Sequence, residues 1–148
     1  MSNENTVGYA GDLLATDAYD LLARDVSSTL IDVRSKAEWS FVGAPDLTAL
    51  GKTPLFIEWQ SFPAMQIDPD FVSRLSAMLA GGGVRPGAPL LFLCRSGARS
   101  RQSAIAMTGA GWSPCHNISD GFEGPLDSWR HRNVVGGWRA GNLPWAQT

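Results

Sequence analysis

At 148 residues the chain suits one compact domain, and a chain of this length folds without a metal or disulfide staple. Hydrophobic residues at 44% and charged residues at 18% exclude a disordered chain. The net charge of -2 gives nucleic acid and anionic membranes no general hold on it, and no apolar run approaches the roughly 18–20 residues that cross a bilayer.

The first residues, Met1-Ser2-Asn3-Glu4-Asn5, carry neither a basic nor an apolar stretch, so a secretory signal is not expected. Two cysteines, Cys94 and Cys115, cannot build a disulfide framework, and a reducing compartment, the cytoplasm, is the expected location. From Thr16 the residues Ala18, Leu21 and Leu22 follow helical spacing, with Thr16 or Asp17 as the expected N-cap. Thr29-Leu30-Ile31-Asp32-Val33 reads as a short buried strand, ended by the charged run from Arg34 to Glu38. Turn formers (Gly43, Pro45, Gly51, Pro54) predict irregular chain from Trp39 to Pro54, and residues 55–59 predict another strand.

Asp68-Pro69-Asp70 opens a second helix, with Asp68 placed to cap it and Pro69 suited to its first position. Phe71, Val72, Leu75, Met78 and Leu79 make its apolar face, and Gly81-Gly82-Gly83 stops it. The continuous apolar run Pro89 to Leu93 predicts a strand covered on both faces. A third helix starts near Ala98 with Ala104, Ile105 and Met107 apolar, and Cys115-His116-Asn117-Ile118 predicts a weaker last strand. Strands alternating with helices give an α/β fold around a mainly parallel sheet. The core is expected over about residues 7–128 of a single domain 1–148. The Gly-, Pro- and Trp-rich tail, 129–148, is expected to lie over it as ordered loop.

The informative stretch is Cys94-Arg95-Ser96-Gly97-Ala98-Arg99-Ser100. A buried strand delivers a cysteine to its carboxyl end, where open α/β sheets bind ligands, and a short Gly loop leads into a helix. Loop N–H groups and a helix N-terminus favour negative charge, and so do Arg95, Arg99 and Arg101 nearby. Such surroundings favour the thiolate over the thiol. A cysteine inside an apolar run is ordinarily a core residue, but this one ends the run and opens a cationic loop, which points to a reactive role.

These residues resemble the active-site loop of the rhodanese family, whose first residue is the persulfide-forming cysteine. Leu30-Ile31-Asp32-Val33-Arg34 followed by Glu38-Trp39 is similar to the family's second signature, and Asn117-Ile118-Ser119-Asp120-Gly121-Phe122 to its final strand and glycine turn. The three motifs occur in the family's order. The resemblance implies a three-layer fold, with a central, mainly parallel five-stranded sheet flanked by helices. It also implies sulfur transfer through a Cys94 persulfide, with residues 95–100 cradling the sulfur and its donor. Asp32 is then expected to order the loop and Arg34 to pair with Glu38, in supporting roles. The donor would be thiosulfate or a persulfide, the acceptor cyanide, a thiol or a protein, with no metal or organic cofactor. One departure stands out: the family's Gly-His-Ile-Pro-Gly-Ala stretch is replaced by Val42-Gly43-Ala44-Pro45-Asp46-Leu47, without the histidine.

Two other readings compete. A cysteine phosphatase or arsenate reductase needs five residues between cysteine and arginine, but here Ser100 holds that position, with Arg99 one residue early and Arg101 one late. A catalytically idle binding or regulatory module would use the same fold to hold a partner, since fold alone does not fix function. Cys115 reads as structural, and His116 and His131 lack partners at metal-ligand spacing. In the tail, Arg130, Arg132 or Arg139 is a candidate to fold back beside Cys94 and select the donor. The donor, acceptor, pathway and oligomeric state are not legible, nor is the path of residues 43–68.

Overall fold

The computed structural model describes residues 8–61 and 63–147. The polar start Met1 to Asn5 lies outside the described residues. In chain order the elements begin with β1 (Gly11–Leu13), α1 (Ala15–Arg24), β2 (Thr29–Asp32), α2 (Lys36–Phe41) and β3 (Ala44–Pro45). A 3-10 turn (Thr48–Leu50) leads to β4 (Leu55–Phe56), β5 (Gln60–Ser61) and β6 (Gln66–Ile67). The chain continues through α3 (Phe71–Gly81), β7 (Leu90–Leu93), α4 (Ala98–Gly109), β8 (Cys115–Ile118) and β9 (Trp145–Ala146).

Five strands form one sheet in the order β1-β8-β7-β2-β4, and every pairing in it is parallel. The sheet is five-stranded and flanked by helices, as expected. Side chains alternate across it with a period of two. Leu90, Phe92 and Cys94 enter the core on one face, with Phe71, Leu75 and Leu79 of α3 and Ala104 and Met107 of α4. Leu91 and Leu93 enter the core on the other face, with Ala15, Ala18 and Leu22 of α1. The all-apolar β7 therefore occupies the sheet's centre because both of its faces are covered.

Several boundaries differ from expectation. Neither Thr16 nor Asp17 caps α1: its N-cap is Leu14, and the Asp120 carboxylate accepts the Ala15 N–H at 2.8 Å. The cap arrives from the far end of β8, a long-range partner that local sequence does not announce. Asp70 rather than Asp68 is the N-cap of α3, because Asp68 accepts the Asp70 N–H and shapes the preceding turn. Met78 lies partly outside the α3 apolar face at 37% exposure. The stretch 39–54 is not irregular throughout, since it contains the end of α2, β3 and the 3-10 turn. Helix α2 forms because Ser35 and Glu38 make a capping box, Ser35 Oγ accepting the Glu38 N–H and Glu38 accepting the Ser35 N–H.

The tail does more than cover the domain. Trp138 is fully buried against α1, its ring edge-to-face with Tyr19. Strand β9 pairs antiparallel with β3, closing a two-stranded ribbon between the chain's end and the segment after α2.

Candidate active site

Cys94 follows β7 directly, and α4 begins four residues later. The turn between them depends on Gly97, which has φ +104°. A Cβ there would collide with the Ser119 carbonyl oxygen, so the loop lies backbone to backbone on the segment after β8. Gly121, with φ +68°, supports the loop from below, where a Cβ would collide with the Arg95 carbonyl. Beside it the Phe122 N–H donates to the Cys94 carbonyl at 2.8 Å and the Glu123 N–H to the Arg95 carbonyl at 3.0 Å. The glycine turn after β8 thus pins both ends of the Cys94–Arg95 peptide.

Around the sulfur, the Gly97 N–H donates to Cys94 Sγ at 3.2 Å, and Ser100 Oγ lies at 3.2 Å. The N–H groups of Ala98, Arg99 and Ser100 open α4 with no carbonyl behind them in the helix, leaving the positive end of its dipole over the loop. Cys94 is only 1% exposed, whereas Arg95 and Ala98 are exposed. Arg95 and Ala98 thus form an exposed rim around a buried sulfur. Two cavities, of about 400 and 480 Å³, lie elsewhere: one beside Ser28 and Lys52, one between Trp39, Pro54 and Phe56.

The supporting charges pair differently from expectation. Arg34 does not reach Glu38. Its Nε and Nη2 grip the Asp32 carboxylate, Nη2 also donates to the Gly43 carbonyl at 2.8 Å, and both side chains of the pair are fully buried. The reason is register: Asp32 and Arg34 are two residues apart on an extended chain and share one side of it. The Arg34 guanidinium also lies 4.2 Å from the centroid of the Phe122 ring.

Glu38 instead takes Arg99. Both guanidinium nitrogens bond its two carboxylate oxygens, at 2.7 and 2.9 Å. Burial alone would raise the Glu38 carboxyl, but Arg99 together with the Ser35 N–H and hydroxyl outweighs it and lowers the group to about 2. Burial disfavours the Arg99 cation, and Glu38 first and the Cys94 sulfur next oppose that, raising its pKa. Arg99 is thus engaged with protein, and Arg95 is the exposed cation of the loop.

The tail arginines make their contacts elsewhere. Arg132 donates to the Gly124 carbonyl, and Arg139 donates to the Val42 carbonyl and Asn133 while lying over the Phe122 and Trp145 rings. No described contact brings either to Cys94. Cys115 is buried with its thiol donating to the Trp112 carbonyl, and burial pushes that thiol up. Among the described residues, no group of three or more His, Cys, Asp or Glu side chains is placed to hold a metal ion. Likewise among them, no helix is long and apolar enough to cross a membrane.

Two residues at the site were not singled out from sequence. Asn117 accepts the Ser100 hydroxyl at 2.6 Å, and Asp12 accepts the Asn117 amide at 3.0 Å. A buried polar residue in a strand leading to the glycine turn was the available signal for Asn117. For Asp12 there was none, because β1 is only three residues long.

No family model matches the chain. It is 37% identical over 134 residues to an uncharacterised protein, the RP600 homolog, of Rickettsia rickettsii, covering 90% of this chain and 95% of that protein. The crystal structure of Rv0390 from M. tuberculosis superposes with a TM-score of 0.84 at 41% identity, covering 95% of this chain and 99% of the other. A polysulfide-sulfur transferase homodimer from Wolinella succinogenes superposes with a TM-score of 0.58 at 22% identity, over 97% and 82% of the two chains. A rhodanese-like domain-containing protein of the Arabidopsis thaliana chloroplast is 26% identical over 133 residues, and this chain spans 25% of its length.

Proposed function

The chain belongs to one family with the rickettsial proteins, its fold is rhodanese-like, and from these we infer that it is a sulfurtransferase working through a persulfide on Cys94. The observation that carries this reading is the Cys94 loop itself. It sets a cysteine at the carboxyl end of the central strand, with the Gly97 N–H on its sulfur and the start of α4 beside it. The rhodanese-like protein and the sulfur transferase among its relatives support it.

In the reaction, Cys94 thiolate attacks the outer sulfur of a donor such as thiosulfate. The Cys94 S–S bond forms, the donor's S–S bond breaks, and sulfite leaves with its electron pair. The persulfide then carries the negative charge on its outer sulfur, where loop N–H groups and the positive end of α4 stabilise it. Arg95, exposed at the rim, attracts the anionic donor, while Arg99 spends its hydrogen bonds on Glu38 and holds the loop to α2. An acceptor, cyanide or the thiol of a small molecule or protein, takes the outer sulfur and releases Cys94. Asp32 and Arg34 keep the end of β2 closed beneath the loop. A reducing compartment such as the cytoplasm suits this chemistry, because both cysteines are free thiols.

The test is intact mass after incubation with thiosulfate, beside Cys94→Ala. A gain of roughly 32 Da in the parent alone, removed by cyanide or a dithiol, is the expected result. If neither thiosulfate nor glutathione persulfide loads the parent, the idle binding module replaces this reading.

A further inference from the structure

Hydrogen bonds run in line from an exposed carboxylate to the buried sulfur. Arg101 Nε donates to the Tyr9 hydroxyl at 3.3 Å, and Tyr9 donates to Asp12 Oδ1 at 2.9 Å. Asn117 Nδ2 donates to the same oxygen at 3.0 Å, Ser100 donates to Asn117 Oδ1 at 2.6 Å, and Ser100 Oγ lies 3.2 Å from Cys94 Sγ. Asn117 and Ser100 are buried, at 3% and 0% exposure, while Asp12 is exposed on the edge strand β1.

The direction of every bond in this line follows from its far end. A carboxylate has no hydrogen to give, so Asn117 must turn its NH₂ to Asp12 and its oxygen to Ser100. Ser100 has one hydrogen, and Asn117 Oδ1 takes it. Toward Cys94 only an oxygen lone pair remains, and the partner that suits a lone pair is the S–H of a thiol. A thiolate or persulfide needs the opposite arrangement, with the Ser100 hydrogen turned onto sulfur. That turn strips the buried Asn117 oxygen of its donor, which disfavours it.

The geometry points to Asp12 as a positioning residue for Cys94: through Asn117 it fixes the Ser100 hydroxyl as an acceptor and so holds the resting cysteine as the thiol. This rests on reading Cys94 as the nucleophile. Sulfur loading then begins when Ser100 gives up Asn117 and donates to the sulfur. The expectation from sequence was a loop that favours thiolate at rest. The relay opposes the Gly97 N–H and the α4 dipole, which do favour it.

The other charged groups around Cys94 are Arg95 of its own loop, Arg99 of α4 with Glu38 of α2, and the Asp32–Arg34 pair of β2. Arg101 lies behind Tyr9. All stay in place when Asp12 alone is changed, so a comparison of variants at that position isolates the relay.

The experiment is the rate at which iodoacetamide alkylates Cys94, followed across pH by peptide mass mapping, since only the thiolate reacts. In Asp12→Ala, Asn117 is free to reverse its amide, donate to Ser100 and let Ser100 donate to sulfur. Alkylation near pH 6 is then expected to rise about five- to tenfold, with the difference closing toward pH 10. Asp12→Asn carries an NH₂ that can donate to Asn117, so it too lets the amide reverse and should show part of the same rise. The Asp12→Ala effect should also vanish in a Ser100→Ala background, where no hydroxyl remains to turn.

A parent-like profile in Asp12→Ala overturns the proposal. So does an effect of the same size in the Ser100→Ala background, which would mark a simple charge effect. Alkylation needs no sulfur donor, so these results stand apart from the thiosulfate mass test. That test can fail while the relay is upheld, and the reverse.

Discussion

Arg99 clasps Glu38 with two guanidinium nitrogens, at 2.7 and 2.9 Å, and so ties the first turn of α4 to the first turn of α2. The same carboxylate closes the Ser35 capping box, so one side chain holds both the start of α2 and the Cys94 loop. Bidentate charge-assisted bonds of this kind are stronger than neutral ones.

Acid should therefore remove the stability that this pairing supplies. Its carboxyl is lowered from an ordinary 4.5 to about 2 in the folded chain. A depressed carboxyl contributes stability that is full above its unfolded value and lost as pH falls through the folded one. The window is thus pH 4.5 down to about 2. Glu38→Gln removes the contribution at neutral pH, and its urea midpoint should fall below the parent's there and converge on it toward the acid end of the window. Parallel midpoint curves for the two proteins would contradict the pairing.

Asp32 and Arg34 carry a different risk. Both are fully buried, and the guanidinium keeps one nitrogen, Nη1, without a hydrogen-bond partner among the described residues. Asp32→Ala strands the cation in the core and should cost about 3–5 kcal/mol in urea unfolding. Replacing both, Asp32→Leu with Arg34→Met, should cost much less, because no buried charge is left unpaired. A double variant as unstable as the single one would show that the pair, not the stranded charge, sets the loss.

What the sequence made legible follows from locality. The apolar run at β7, the glycine stop of α3 and the cysteine at a strand's carboxyl end are each written within a few residues, and the α/β order of elements follows from them. The helix α2 was also written locally, in the capping box Ser35-Lys36-Ala37-Glu38, beside glycines and prolines that signal turns. Partner choice was not legible. Glu38 finds Arg99 61 residues away and Asp120 caps a helix 105 residues away, and only the folded register decides such pairs.

The two glycines of the site make a backbone prediction. Gly97 and Gly121 both hold positive φ, and a Cβ on either meets a main-chain carbonyl that no side-chain rotation relieves. Gly97→Ala should separate the loop from Ser119, and Gly121→Ala should push Arg95 of the loop away from the turn after β8. Each is expected to lower stability by more than about 1 kcal/mol and to abolish sulfur loading by thiosulfate. Gly51 is the control: its φ is +68° but nothing lies within 4 Å of a Cβ there, so Gly51→Ala should retain loading.

Cys115 is the second thiol, and its surroundings argue against a part in the chemistry. It begins β8 opposite Leu90, is 0% exposed, and spends its hydrogen on the Trp112 carbonyl at 3.2 Å. Burial pushes its thiol up, so less of it is thiolate at neutral pH, and the thiolate is the form that attacks sulfur or an alkylating agent. Cys115→Ala should keep the full mass gain with thiosulfate, and in the folded parent iodoacetamide should leave Cys115 unmodified until urea exposes it. Its volume is modest, so the stability cost should stay near about 1 kcal/mol. If Cys115→Ala instead loads sulfur but no longer passes it to a thiol acceptor, the buried thiol takes part in the second half of the cycle, and β8 must open for it to do so.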